Sequence, residues 1–460
     1  MDGSALTFLG AAGTVTGSMF LVETEETQVA VEAGLYQGLA DLRRRNWAAL
    51  PLVADRLAAV VLSHAHLDHC GQVPRLVREG FRGPVICTAE TAELATIVLR
   101  DSAHLQEEDA RLANEGGYSK HRPALPLYDE ADVARTIPLL SPAEFGAWTD
   151  LTSDTRVRLD PAGHILGSAT VLLEAAGTRT LFSGDLGRGH HPILRAPARP
   201  PAAQTVVVES TYGDRTHPPP DPEVLAGAVR RTIGRGGSVL IPAFAVDRSE
   251  LVLLELHRLM SGGSIPDVPI YLDSPMALSA LSVYRQALRS DSAQLRPELG
   301  EVRKALDELH VRGVPDAAGS TRLNRPGSPC IVISASGMAS GGRVVHHLAH
   351  QLPDTRNCVV LTGYQAVGTR GRQLLEGVRH VKIHGRYVPV RAEIVDVPSF
   401  SVHADAAEIV DWLGQAPERP DVVYVVHGEP AASASLAVRI HDELGWTAVV
   451  PRHGERVRLG

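Results

Sequence analysis

Residues 64–69 read His64-Ala65-His66-Leu67-Asp68-His69, directly after the apolar run Leu57-Ala58-Ala59-Val60-Val61-Leu62. Three imidazoles and a carboxylate therefore crowd a loop that follows a buried strand. Neutral imidazole nitrogen and ionised carboxylate are ligands that Zn²⁺ takes, and a catalytic zinc needs only three of them from the protein. Four such groups together hint at two metals. The bland alternative is a polar loop that happens to be rich in histidine.

Four further segments put a metal ligand or an acid–base residue in a loop, mostly just past an apolar strand. They are Gly163-His164-Ile165-Leu166-Gly167-Ser168, Phe182-Ser183-Gly184-Asp185-Leu186-Gly187, Ser399-Phe400-Ser401-Val402-His403-Ala404-Asp405 and Val425-Val426-His427-Gly428-Glu429. Singly each is weak: a lone histidine is more often structural, and an Asp after Gly is often a turn or a helix cap. Together they carry weight, because strand-end loops gathered on one edge of a layered fold are how α/β proteins build sites.

The 460 residues, 44% hydrophobic and 21% charged, have the profile of a soluble globular protein and exceed a comfortable single core, so at least two domains are expected. No stretch approaches the ~20 apolar residues needed to span a bilayer. The start Met1-Asp2-Gly3-Ser4 lacks the features of a secretory signal, and the four cysteines Cys70, Cys87, Cys330 and Cys358 form no C-x-x-C pair. A cytoplasmic protein with buried thiols is expected. The net charge of −8 excludes binding of nucleic acid by bulk phosphate neutralisation, so any such role needs a local positive site, which bound metal ions could supply.

Gln28–Glu32, Ala58–Leu62, Gly83–Cys87, Thr170–Glu174, Thr180–Ser183 and Thr205–Val208 read as strands, and Glu90–His104 as a helix. After Glu209 the apolar runs Ser238–Pro242, Ile270–Asp273, Cys330–Ser334 and Asn357–Thr362 alternate with helical patterns, the rhythm of a parallel sheet. The last part returns to short strands, with Lys382–Val397 as a hairpin and Val422–Val426 as a buried strand.

The order His-x-His-x-Asp-His, Gly-His, Ser-Gly-Asp resembles the metallo-β-lactamase superfamily. Glu209-Ser210-Thr211-Tyr212-Gly213-Asp214-Arg215, Ser-Phe-Ser-x-His-Ala-Asp and Val-His-Gly-Glu narrow the resemblance to its β-CASP ribonucleases. Additional matches are Gly34-Leu35-Tyr36-Gln37-Gly38, Tyr271-Leu272-Asp273-Ser274-Pro275-Met276 and Ser336-Gly337-Met338-Ala339-Ser340-Gly341-Gly342-Arg343, so the likeness runs from about Gly10 to Arg452. It implies an α/β chain: a metallo-β-lactamase αββα sandwich, residues 1–208 and 381–460, interrupted by a parallel-sheet β-CASP domain, residues 209–380.

It also implies two Zn²⁺ ions, the first on His64, His66 and His164, the second on Asp68, His69 and His427, with Asp185 bridging. Shared ligands would offset the repulsion of the two cations, and zinc-activated water would attack the phosphodiester of single-stranded RNA. The implied catalytic residues are His403, Glu209 and Asp68. His403 would protonate the leaving ribose oxygen, worth roughly 10²–10⁴-fold, and Glu209 would orient the ring and raise its pKa. The family's DNA-processing branch generally has an apolar residue where His427 stands, so His427 points to RNA. One departure is Glu32, where the family usually has Asp; its longer carboxylate can still orient a metal-bound histidine from behind.

Ser336 and Gly337 lie in a small-residue loop whose backbone N–H groups could cradle a phosphate, or which could be merely a tight strand–helix turn. Ser401 could donate a hydrogen bond to the scissile phosphate, and Arg43-Arg44-Arg45 reads as a solvated helix face. With 4% aromatics, weak sequence preference is expected. The reaction expected is zinc-dependent endonucleolytic cleavage. Its rivals are 5′-exonuclease action, a small-molecule metallo-hydrolase, a DNA nuclease and an inactive scaffold. A homodimer and the natural transcript are left open.

Overall fold

A computed structural model of the chain describes residues 3–117, 119–308 and 311–460. They divide into two compact units. The first comprises Met1–Gln37, Asp41–Thr216 and His403–Gly460, the second Gly38–Ala40 and His217–Val402. The boundary expected at 208/209 thus lies inside the first unit, and the one at 380/381 inside the second.

The first unit is a sandwich of two seven-stranded sheets. One sheet runs in the order Arg456–Leu459, Ser4–Phe8, Phe20–Glu23, Gln28–Val31, Ala59–Val61, Val85–Cys87, Leu140–Pro142; the other runs Ala448–Val449, Val422–Val426, Thr205–Glu209, Thr178–Phe182, Ala169–Ala175, Thr155–Pro161, Trp148–Asp150. The pattern of Thr155–Pro161 shows why the sheets face each other: burial alternates along it, and Val157 and Leu159 point inward. They meet Val171, Leu173 and Phe182 of their own sheet and Leu6, Phe8 and Phe20 of the other in one core.

Ala169–Ala175 is buried along nearly its whole length because both its faces are covered. Leu172 points outward, with Leu181, Val206 and Val208, against Ile409, Val410 and Trp412 of the helix Ala406–Leu413 and Leu436 and Ile440 of the helix Pro430–Leu444. Each such side chain contributes about 1.5–3 kcal/mol by leaving water. On the other sheet lie helices Val73–Arg78, Ala89–Gly116 and Glu130–Thr136. This is the αββα layering expected of the fold.

The two sheets are also clasped by polar groups. Asp154, in the turn after Trp148–Asp150, accepts hydrogen bonds from Thr24 (2.7 Å) and Thr27 (2.8 Å) of the hairpin in the opposite sheet, and from Thr152 (2.7 Å) and Thr155 (2.9 Å) beside it.

The second unit holds a six-stranded sheet in the order Val311–Gly313, Ile270–Leu272, Ile331–Ser334, Val239–Pro242, Cys358–Leu361, Glu393–Asp396, parallel throughout. Helices that include Pro222–Gly234, Arg248–Ser261, Pro275–Arg289 and Arg343–Gln351 alternate with its strands.

Several sequence expectations are corrected here. The hairpin read as Lys382–Val397 is His380–Ile383 paired antiparallel with Arg386–Pro389, and Glu393–Asp396 instead leaves it to close the parallel sheet as an edge strand. The helix expected over Glu90–His104 continues to Gly116. The closing segment is not only strands but carries the two helices 406–413 and 430–444. All four cysteines are buried and free, and burial pushes the Cys87 and Cys358 thiols up to about 12. No helix among the described residues is long and apolar enough to cross a membrane.

Candidate metal centre

Every histidine and aspartate of the cluster sits at or just past the carboxyl end of a strand of the first unit. His64 and His66 leave Ala59–Val61 in extended conformation, and the four-residue helix Leu67–Cys70 then turns Asp68 and His69 back toward them. That helix is too short to satisfy its own carbonyls. The segment 33–35 does so instead: Ala33 N–H donates to His69 O and Leu35 N–H to Leu67 O, while Ser18 N–H donates to Asp68 O. A Cβ on Gly34 would stand 1.7 Å from Asp68 O, which is why the Gly34 motif accompanies the histidine run.

Asp185 follows Thr178–Phe182, and Gly187 lets its loop lie against that of His164, since a Cβ there would meet Gly163 O at 1.8 Å. Residues 403–406 are stitched to the same loop: Ala404 N–H donates to Leu186 O at 2.7 Å, and His403 bridges to Gly187. His427 caps Val422–Val426 in a left-handed conformation (φ 49°), fixed by its N–H to Ala11 O.

Two donor sets result. In the first, His66 Nδ1 lies 3.0 Å from His64 Nε2 and 3.4 Å from His164 Nε2, and Asp185 Oδ2 lies 3.4 and 3.5 Å from those two Nε2 atoms. In the second, His69 Nε2 lies 3.3 Å from His427 Nε2 and 3.3 Å from Asp185 Oδ1, and Asp68 Oδ2 lies 3.6 Å from His427 Nε2. Asp185 thus turns one carboxylate oxygen to each set.

These spacings fit a metal. Zinc–nitrogen bonds of about 2.05 Å at tetrahedral angles separate ligand atoms by about 3.3 Å. Without a cation, nitrogens of buried imidazoles have no reason to converge in this way. His64, His66, His164 and Asp185 can hold one ion, and Asp68, His69 and His427 a second.

The outer nitrogens have partners too. Ser63 Oγ lies 2.9 Å from His64 Nδ1 and Thr211 Oγ1 lies 3.1 Å from His427 Nδ1, residues given no role from sequence although Ser63 flanks one quoted motif and Thr211 lies within another. Glu32, buried and at φ 64°, accepts the Ser63 N–H at 3.1 Å and sits 3.6 Å from His69 Nδ1.

Burial first, then neighbouring imidazoles, hold His64 and His164 well below the usual histidine range, and burial takes His66 down to about 4. These rings are neutral at pH 7, as ligands must be. Burial pulls His69 the same way, but the Asp185 and Glu32 carboxylates outweigh it and raise it. Burial would raise Asp185 and Asp68; the surrounding imidazoles reverse both shifts, Asp185 well below the usual carboxylate range.

His403 stands beside the first set. Its Nδ1 is 3.2 Å from each oxygen of the fully buried Glu209, and 3.9 Å from Asp185 Oδ2. Glu209 also accepts the Leu186 N–H at 2.7 Å and the Thr211 N–H at 3.3 Å. These bonds aim the carboxylate at the imidazole.

In the second unit Ser336 and Gly337 begin the turn between Ile331–Ser334 and the helix Arg343–Gln351. Ser336 spends its own groups there, its carbonyl on Ala339 N–H and its hydroxyl on Ser340 N–H. Ser401 Oγ is buried and makes no hydrogen bond among the described residues. Asp273, quoted in a motif without a role, anchors Arg343 (2.7 Å), His347 (2.6 Å) and Ser320 (2.5 Å).

Residues 12–240 match the metallo-beta-lactamase superfamily, 250–374 the Beta-Casp domain, and 387–451 the Zn-dependent metallo-hydrolase RNA specificity domain. The chain is 37% identical to Ribonuclease TTHA0252 of Thermus thermophilus, over 97% of this chain and 98% of the relative. It is 30% identical to an RNase J-like protein of Methanocaldococcus jannaschii, over 98% of each, and 29% identical to the transcription termination factor FttA of the same organism, over 99% of this chain and 71% of that one. A solved structure of a protein of unknown function from Enterococcus faecalis shares the fold, with a TM-score of 0.54 at 14% identity over 99% of this chain and all of that one. The chain belongs to the β-CASP ribonuclease family of the metallo-β-lactamase superfamily.

Proposed function

We propose that this protein is a zinc-dependent endoribonuclease of the cytoplasm, which hydrolyses phosphodiester bonds of single-stranded RNA by a two-metal mechanism. One observation carries the reading: an imidazole, His403, hydrogen-bonded to a fully buried carboxylate and standing beside the residue that faces both donor sets. A lactamase or thioesterase needs the metal ligands but not this pair, whereas a ribose oxygen leaves poorly unless it is protonated.

His64, His66 and His164 would hold one ion, Asp68, His69 and His427 the other, with Asp185 shared. Bound there, zinc would supply Lewis acidity, lowering the pKa of water to about 7 and offsetting phosphate charge. The chain's own part is orientation and proton transfer. Ser63, Thr211 and Glu32 fix the outer faces of His64, His427 and His69, so that the inner nitrogens stay deprotonated and aimed. Glu209 holds the Nδ1 side of His403, leaving Nε2 as the nitrogen that carries the proton to the leaving oxygen. Ser336, Gly337 and Ser401 are assigned to phosphate binding.

The test is incubation of zinc-loaded protein with 5′- and 3′-labelled RNA and DNA oligonucleotides. Internal products from RNA alone are expected. Release of mononucleotides from the 5′ end would replace endonuclease by exonuclease action, and intact RNA beside a hydrolysed lactam or thioester would overturn the reading.

A further inference from the structure

The chain as a whole is acidic, yet one surface of the second unit is not. Residues 379–391 contain Arg379, Lys382, Arg386 and Arg391 and no Asp or Glu. All four cations are exposed, and none makes a salt bridge among the described residues. Other arginines of the unit are neutralised: Arg231 and Arg235 by Glu393, Arg372 by Glu376.

The segment is the ribbon His380–Ile383 paired with Arg386–Pro389. Burial alternates along His380–Ile383, and Arg386, paired with Ile383 at the turn end of the ribbon, is exposed. Val381, Ile383 and Val388 are buried in the core of the unit, so the opposite face, with His380, Lys382, Tyr387 and Pro389, is turned away from that core. Lys382 lies directly opposite Tyr387 on that outer face. Tyr387 is 73% exposed, more than any other large apolar side chain among the described residues. The ribbon is held rigidly, for Arg370 Nε donates to Lys382 O at 3.0 Å while its Nη1 donates to Ala339 O and Ser340 O in the small-residue turn.

We propose that the outer face of this ribbon, together with its turn end, is a docking surface for single-stranded RNA, with a base stacked on Tyr387 and backbone phosphates held by Lys382 from that face and by Arg386 from the turn end. The proposal rests on the ribonuclease reading above and deepens it. Unpaired cations around an exposed ring are the combination that binds single strands without sequence readout: phosphates take the charge and any base offers a π-face. Four exposed cations without a single acid meet a polyanion at no cost in broken ion pairs. The site also gives a chain of net charge −8 a local cationic surface for RNA.

The experiment measures fluorescence anisotropy of an unstructured labelled RNA with the zinc-loaded full chain carrying His403→Ala, which stops turnover, across a salt series. Tyr387→Ser in that background is expected to weaken binding about tenfold, the loss of one stacked base. Lys382→Gln with Arg386→Gln is expected to lower the slope of log Kd against log salt by about 1.4, since each single-strand phosphate contact contributes about 0.7. Thermal melting checks that the variants are folded; the core residues Val381, Ile383 and Val388 are unchanged. Unchanged affinity and slope in folded variants would overturn the proposal. So would parallel assays in which the substitutions abolish binding to anionic vesicles or polyglutamate and leave RNA binding intact. Cleavage by the chain with His403 restored is scored separately: RNA bound through the ribbon but never cut would overturn the ribonuclease reading while supporting the docking surface.

Discussion

Replacing His403 by Ala separates chemistry from architecture unusually well in this site. The imidazole belongs to neither of the two donor sets assigned to zinc; it groups instead with Glu209 and Asp185, its Nδ1 3.9 Å from Asp185 Oδ2, too far for a hydrogen bond. Metal content should therefore stay at the wild-type value. Nor is Glu209 orphaned when the ring goes, because the backbone N–H groups of Leu186 and Thr211 still bind it. Stability should fall by only about 1 kcal/mol, the net worth of one hydrogen bond. The turnover number is another matter: without a general acid it should drop roughly 10²–10⁴-fold, or about 3–5 kcal/mol in the barrier. Glu209→Gln should approach the same loss from the other side, since an amide cannot accept from Leu186, Thr211 and His403 with both its ends. Single-turnover cleavage of 5′-labelled RNA, zinc per chain by elemental analysis and thermal melting would be measured on the same preparations. Near-normal cleavage by a fully metallated His403→Ala protein would refute the reasoning, and zinc loss in step with activity would reassign the residue to the metal.

His427→Ala should reduce bound zinc from two ions per chain to one, read by elemental analysis; undiminished occupancy would remove His427 from the ligand set. Gly187→Ala drives a methyl into Gly163 O and should spread the loops of His164 and Asp185, seen as weakened zinc binding in a competition titration with a chelator. Glu250 is buried, and burial followed by the Asp247 carboxylate holds it well above the usual range. A raised carboxyl loses stabilisation as pH climbs past its unfolded value near about 4.3, so Glu250→Gln should match the wild type at pH 4 and exceed it in urea melts at pH 8. Asp154 shows the opposite sign: burial would raise it, but four threonine hydroxyls bring it to about 2. Asp154→Asn should cost about 1 kcal/mol at neutral pH, discounted for partial exposure, and the gap should close as pH falls from about 4 toward 2.

Much of the site was legible because its residues are local. His64 to His69 occupy one loop, and strand-end positions flag the loops of His164, Asp185 and His427. Residues that act from behind the ligands carry no such mark: Ser63, Thr211 and the clasp of Asp273 with His347 become visible only when distant segments meet. The parallel strands read well where both faces are buried, as in Thr205–Glu209. The hairpin failed because Lys382–Val397 holds three strands of similar composition, and only packing decides that Glu393–Asp396 pairs with Cys358–Leu361. Two helices near the end were missed although their signals are present. Asp405 and Glu408 form a capping box, and Pro430 and Gly445 bracket the other helix as its first turn and its left-handed cap.

The first unit is interrupted in sequence and closed in space. Ser4–Phe8 pairs with Arg456–Leu459, and His69 meets His427 across 358 residues of chain. At ribosomal rates of about 5–20 residues per second, roughly 18–72 s separate the synthesis of one part of the second donor set from that of the other. Within that interval the first donor set is complete once Asp185 has been made, whereas the second still lacks His427. The second donor set and the pair of His403 with Glu209 thus come together only after the whole second unit has been synthesised.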